Sequence, residues 1–125
     1  MYKVTFVAAA VLALATGYAA AQRMPASVHA ENGTMMDAKG MTLYTFDNDK
    51  EANKSACNGN CANVWPALKA EASDKDMGDW KVITRDDRSK QWAYKGKPLY
   101  FWKDDKKPGD VDGDNRNNVW HVVAP

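Results

Sequence analysis

A stretch of this chain occurs twice, and a duplication constrains a fold more tightly than any single residue. Lys39, Gly40, Leu43, Tyr44, Phe46 and Asp49 reappear at constant spacing as Lys95, Gly96, Leu99, Tyr100, Trp102 and Asp105. The copies share the pattern Tyr-x-aromatic-x-x-Asp, with one aromatic exchanged for another. Asn63-Val64-Trp65 returns as Asn118-Val119-Trp120 at a spacing one residue shorter, so each copy runs from a Gly turn to a Trp.

Residues ahead of the first copy read as an address. Lys3 precedes an apolar run from Val4 to Leu14 and then the small residues Ala19-Ala20-Ala21, the layout of a secretory signal peptide cleaved after Ala21. A spanning helix needs about 20 apolar residues, more than this run supplies. The expected organisation is a leader over 1–21 and one duplicated β domain over 22–125, with repeat 1 at about 28–68 and repeat 2 at about 80–125. No transmembrane span is expected after cleavage, and no Cys near the cleavage region can accept a lipid.

Loss of Lys3 with the leader brings the 17 basic residues level with the 16 acidic ones. A balanced chain is a poor partner for nucleic acid or anionic lipid, both held largely by excess Lys and Arg. All five Trp lie beyond the leader and can supply much of a modest core. Cys57 and Cys61 occur in Cys-Asn-Gly-Asn-Cys, where Asn and Gly permit a tight turn. In an exported chain these two are expected to form a disulfide. So short a loop gives about 2 kcal/mol in the chain-entropy account, so the bridge acts locally, on the loop that leads to Trp65.

The coarse pattern is strands and turns. Thr34–Ala38 and Met41–Phe46 flank Lys39-Gly40, and Gln91–Tyr94 and Pro98–Trp102 flank Lys95-Gly96, which predicts a hairpin in each copy. Trp80–Thr84 and Val119–Val123 read as further strands. Cys61–Trp65 is expected to make one helical turn that Pro66 helps to end, and Lys69–Asp79 reads as a connecting loop. Apolar residues of both parities, Leu43 with Tyr44 and Leu99 with Tyr100, imply strands covered on both faces. The fold class expected is mostly β: two tandem related units, each a hairpin, a loop and a short strand, packed around a shared core.

The ordered set Leu43-Tyr44-Thr45-Phe46-Asp47-Asn48-Asp49, Cys57-x-Gly59-x-Cys61, Trp65-Pro66, Pro98-Leu99-Tyr100-Phe101-Trp102, Asp105, Pro108-Gly109-Asp110 and Val119-Trp120-His121-Val122-Val123 resembles the bacterial secreted-repeat proteins. The resemblance covers the chain from about Val28 to Pro125. It implies a duplicated β unit and an envelope location, periplasmic or secreted, with no assigned biochemical activity.

Four constellations could carry chemistry. Asp110, Asp112 and Asp114 alternate with Gly and Val in a turn-rich loop, a composition suited to the hard oxygens of calcium. The order departs from the EF-hand pattern and no Glu closes it, so a solvated loop is the alternative. The Cys57/Cys61 pair has a wider spacing than thioredoxin-like dithiols, which favours a structural bridge over thiol-redox work. His29 and His121, with Met24, Met35, Met36, Met41 and Met77, offer soft ligands for copper without regular spacing. Finally, Tyr44, Phe46, Asp49 and Trp65, with Tyr100, Trp102, Asp105 and Trp120, either line two recognition pockets or pack in the core with each Asp accepting backbone N–H groups; the second reading is favoured. Asn32-Gly33-Thr34 and Asn53-Lys54-Ser55 have the form of glycosylation acceptors but read as accidental.

No nucleophile-base set, phosphate-cradling loop or zinc motif emerges, so the expectation is a non-enzymatic exported binding or structural module with no cofactor. An envelope protein is the expected kind of partner. A calcium- or copper-binding protein and an accessory thiol-redox protein are the alternatives.

Overall fold

The computed structural model describes residues 24–125; the leader lies outside the described residues. Strand β1 (Val28–Glu31) turns back on β2 (Thr34–Asp37), with Val28 opposite Asp37 and Glu31 opposite Thr34. Between them Asn32 and Gly33 both take positive φ, 53° and 79°, the Asn-Gly turn whose twist matches a hairpin.

The hairpin expected around Lys39-Gly40 is also present, shortened, and β1 adds an unexpected strand on the other side of β2. Thr34–Ala38 and Met41–Phe46 meet over a short span, through the Met36–Thr42 bridge and the bonds from Asp37 N–H to the Met41 carbonyl and from Leu43 N–H to the Met35 carbonyl. Asp37 is the cause: its carboxylate accepts the N–H groups of Lys39 and Met41, and its own N–H bonds the Met41 carbonyl, which widens the return over Ala38-Lys39-Gly40. In place of a local partner, β3 (Tyr44–Phe46) pairs with the last strand of the chain.

The second copy follows expectation closely. β4 (Trp80–Thr84), β5 (Lys90–Tyr94) and β6 (Lys97–Pro98) form a three-stranded antiparallel sheet, with the tight turn at Lys95-Gly96. The wider return in copy one shifts register by one residue. Leu43 N–H reaches the Met35 carbonyl, whereas Leu99 N–H reaches that of Trp92, so Met35 and Trp92 are structural equivalents and both are buried.

Helix α1 (Asn60–Val64) precedes Pro66 as expected, and β7 (Trp120–Val122) closes the chain. The two copies exchange their last segments. Val123 of copy two lies in copy one, donating to the Leu43 carbonyl and accepting from Met35; Leu68 of copy one lies in copy two, donating to the Leu99 carbonyl and accepting from Trp92. Neither copy can satisfy its hairpin backbone without the other.

Two apolar clusters result. Val28, Met35, Leu43, Leu68, Trp80, Trp92, Leu99 and Val123 form the first. Tyr44, Cys57, Trp65, Tyr100, Trp102 and Trp120 form the second. Leu43 and Leu99 face one cluster while Tyr44 and Tyr100 face the other, which is why both parities of those strands are apolar.

Candidate functional site

Tyr44 and Tyr100 meet at the junction of the copies, exchanging backbone bonds of 2.8 and 2.9 Å. Their side chains then cross. Tyr44 Oη donates to Asp105 Oδ2 at 2.6 Å, and Tyr100 Oη donates to Asp49 Oδ2 at 2.7 Å. Each tyrosine therefore holds the aspartate of the other copy. The free oxygen of each carboxylate accepts a loop N–H at an equivalent position, Ala56 for Asp49 and Asp112 for Asp105. The spacing Tyr-x-aromatic-x-x-Asp is what lets one strand supply the hydroxyl and the following turn supply the carboxylate.

Burial raises both carboxyls above the ordinary aspartate value, and their neighbours differ. Around Asp49 the Tyr100 hydroxyl, the Ala56 N–H and the charges of Arg85 and Lys97 pull the value back down. Around Asp105 the Tyr44 hydroxyl and the Asp112 N–H pull it down, while the charges of Asp112 and Asp110 push it up. Burial also raises both phenols well above the usual tyrosine range, reinforced by the facing carboxylates.

The motif aromatics form a stack on the same junction. Phe46 lies over Trp120 at 4.1 Å and 9°, Trp120 over Trp65 at 3.7 Å and 4°, and Trp65 over Trp102 at 4.4 Å and 37°. Phe46 and Trp102 are equivalents in the two copies, as are Trp65 and Trp120, so the stack repeats the pseudo-symmetry of the fold. The Arg116 guanidinium caps the outer face of Trp102 at 4.6 Å. Tyr44 meets Trp65 edge-on at 5.5 Å, and Tyr100 meets Trp120 edge-on at 5.2 Å.

Cys57 and Cys61 form a disulfide across α1's first turn, with Cys57 buried beside the stack. The position matching Cys57 in copy two is Gly113, where an added Cβ would stand 2.9 Å from Trp102, Trp65 and Tyr44. Gly113 N–H donates to Tyr44 Oη at 3.1 Å. A groove of about 500 Å³ opens beside the stack, lined by Phe46, Asn48, Cys61, Val64, Asn117 and Trp120.

The acidic loop is regrouped relative to expectation. Asp110 accepts the N–H groups of Lys106 and Lys107, which hold its carboxyl below the ordinary value. Asp114 turns away to accept Val122 N–H. Among the described residues it is Asp105, Asp110 and Asp112, rather than Asp110, Asp112 and Asp114, whose oxygens converge within 4.8 Å. The two histidines are not brought together: His29 on β1 contacts Glu31 and His121 on β7 contacts Asp47. Met35 is a core side chain.

Sequence reasoning missed Arg85. Buried at the end of β4, it donates to Ser55 Oγ, Gln91 Oε1 and the Cys57 carbonyl. Ser55 Oγ in turn lies 2.7 Å from Tyr100 Oη. Nothing in the local sequence marks Arg85, since Asp86, Asp87 and Arg88 beside it are exposed. Gly113, by contrast, was findable by laying Cys57 on copy two at the repeat spacing.

Two copies interlocked by exchanged strands and a reciprocal Tyr–Asp lock define a duplicated β module. The family model described as a secreted repeat of unknown function matches residues 26–69 and 81–124, and the chain belongs to that family. Each matched segment ends with the strand that crosses into the other copy. No curated protein and no solved structure matches the chain.

Proposed function

We propose that the protein is a non-enzymatic binding module of the bacterial cell envelope, held rigid by its interlocked repeats and acting through the groove beside the aromatic stack. One observation carries the reading: the motif's hydroxyls and carboxylates are consumed by one another, so the groups most typical of the family serve the frame. What remains to meet a partner is the surface that this frame positions. There Asn48 and Asn117 place amides beside the apolar face of Phe46, a mix of an apolar floor and a few polar groups that suits recognition. An envelope protein is the proposed partner and the periplasm the proposed address. The module works without a resident metal or cofactor.

The test is site-specific photocrosslinking in intact cells. A crosslinking residue at Asn48 or Asn117 should trap a discrete partner, while one at Lys81 on the far sheet should not. Equal capture from both faces, or none from the groove, rejects the groove as the working surface. A calcium-dependent rise in melting temperature that Asp112→Asn abolishes would replace the metal-free reading.

A further inference from the structure

The aromatic stack has a geometry that packing alone does not favour. Aromatic pairs ordinarily settle edge-on or offset, with centroids about 4.5–7 Å apart. Trp65 and Trp120 instead lie nearly parallel at 3.7 Å, with Phe46 and Trp102 continuing the pile on either side. Face-to-face indoles share electron density well, and indole is among the most easily oxidised side chains. Next to each central indole stands a tyrosine whose hydroxyl already donates a short bond to a buried carboxylate. That is the arrangement in which a phenol can lose an electron and a proton together.

We propose that the stack and its two tyrosine–carboxylate pairs form a relay for one-electron oxidising equivalents. A radical or other one-electron oxidant takes an electron from an indole of the stack. The hole then passes to Tyr44 or Tyr100, which supplies the electron as its phenolic proton moves to Asp105 or Asp49. The products are a neutral phenoxyl radical, a protonated carboxyl and a restored indole. A one-electron reductant such as a small thiol or ascorbate returns the electron, the proton moves back from the carboxyl, and the protein is unchanged. The proposal goes beyond the binding reading and does not depend on it.

Three details support the direction of transfer. Trp102 Nε1–H is buried without an acceptor, so a radical cation there cannot shed its proton and stays strongly oxidising. The Arg116 charge over Trp102 likewise disfavours a positive hole at that end. Both carboxyls, raised by burial, are better proton acceptors than ordinary aspartates.

The experiment uses the protein purified after export, whose tyrosines past Ala21 are Tyr44, Tyr94 and Tyr100. Photogenerated tris(bipyridine)ruthenium(III), with persulfate as the terminal acceptor, supplies the oxidant. Freeze-quenched electron paramagnetic resonance identifies the radical. The expected result is a neutral tyrosyl signal that forms more slowly in D₂O and persists in Tyr94→Phe. Tyr44→Phe and Tyr100→Phe should each lower its yield about twofold, and together they should leave an indole radical. An indole radical alone in the wild type, or a tyrosyl signal lost with Tyr94→Phe, overturns the relay. Because those two outcomes need neither core variant, the test holds even if the double variant fails to fold.

Discussion

The Tyr100–Asp49 and Tyr44–Asp105 pairs share one geometry and are built from different materials. Around Asp49 the surroundings are side chains: Arg85, Ser55 and Gln91 make a buried polar chain, and the disulfide pins the loop. Around Asp105 the surroundings are backbone and close packing: Gly113 offers its N–H to Tyr44 and leaves no room for a side chain. In the register that matches Met35 with Trp92, His29 matches Lys81 and Arg85 matches no residue of copy one: it opens the longer return to Ser89, where copy one has the two-residue Asn32-Gly33 turn. Duplication thus preserved the hydrogen-bond geometry at the junction while each copy found its own way to desolvate it. A Tyr–carboxylate bond needs a dry, satisfied environment, and two chemistries supply one equally well.

The largest expected break of that comparison is Arg85→Ala. It takes the Arg85 donor from Ser55, Gln91 and the Cys57 carbonyl and removes the cation whose charge most lowers buried Asp49. Hydrogen bonds to a charged group are worth about 1.5–3 kcal/mol each and three are lost, whereas exposed His29→Ala should stay within about 0.5 kcal/mol. Urea midpoints of the two variants settle the matter; a loss for Arg85→Ala as small as for exposed His29→Ala would mean that the polar chain beside Asp49 contributes nothing that the surroundings of Asp105 lack. Next comes the pair at Cys57 and Gly113. Gly113→Ala should cost about 1–3 kcal/mol, because its neighbours are ring and backbone-proximal atoms that cannot swing aside. Replacing both cysteines by Ser should cost about 2 kcal/mol. A neutral Gly113→Ala would show that the stack has slack.

Tyr44→Phe and Tyr100→Phe probe the junction itself. Each strands a buried carboxylate oxygen, and the second also removes the acceptor of the Ser55 hydroxyl proton. Expected costs are about 1–3 kcal/mol apiece, larger for Tyr100. Because the two rings sit on one backbone bridge, the double variant should depart from additivity by more than about 0.5 kcal/mol. Strict additivity in thermal or urea melts would argue that the two pairs act independently.

How much of this was legible beforehand follows from the range of each interaction. Repetition, the Lys95-Gly96 hairpin and Trp80–Thr84 are local patterns, and they read correctly. The β1–β2 hairpin does not figure among the expected elements, although Asn32-Gly33 is a strong hairpin signal. The same residues open an Asn-x-Thr triplet, and the hairpin around Lys39-Gly40 that the repeat predicts forms in a shortened version beside it. Asp37 makes the difference by capping the turn, a side-chain choice that a repeat comparison hides. Each motif Asp was expected to bond backbone in the loop after its strand, and Ala56 and Asp112 N–H groups are where those bonds go. The crossing of each tyrosine to the other copy's aspartate is long-range and leaves no local trace. Neither does the exchange of Leu68 and Val123, since a strand's partner is fixed by tertiary packing and not by its own residues.

The smallest effect, and the one that separates the copies most cleanly, lies in pH. Asp49 and Asp105 are raised by burial, so the folded protein keeps protons that the unfolded chain has released near 3.8. Their contribution is full below that ordinary value and declines as pH rises through the raised ones. Asp110 runs the other way: backbone bonds from Lys106 and Lys107 lower it, so its contribution is present above the ordinary value and is lost as pH falls through the lowered one. Two carboxylates that approach each other in one loop therefore act on opposite sides of the same pH. Melting temperatures from about pH 2 to about pH 7 should show Asp105→Asn flattening the upper limb and Asp110→Asn flattening the lower one. Asp49→Asn should flatten the same upper limb, burial being opposed at Asp49 by Arg85 and Lys97 and reinforced at Asp105 by Asp112 and Asp110. Because Arg85 pulls Asp49 down, Arg85→Ala should steepen that limb; if it does not, the buried cation is electrostatically idle, and Arg85 matters only for the hydrogen bonds it donates.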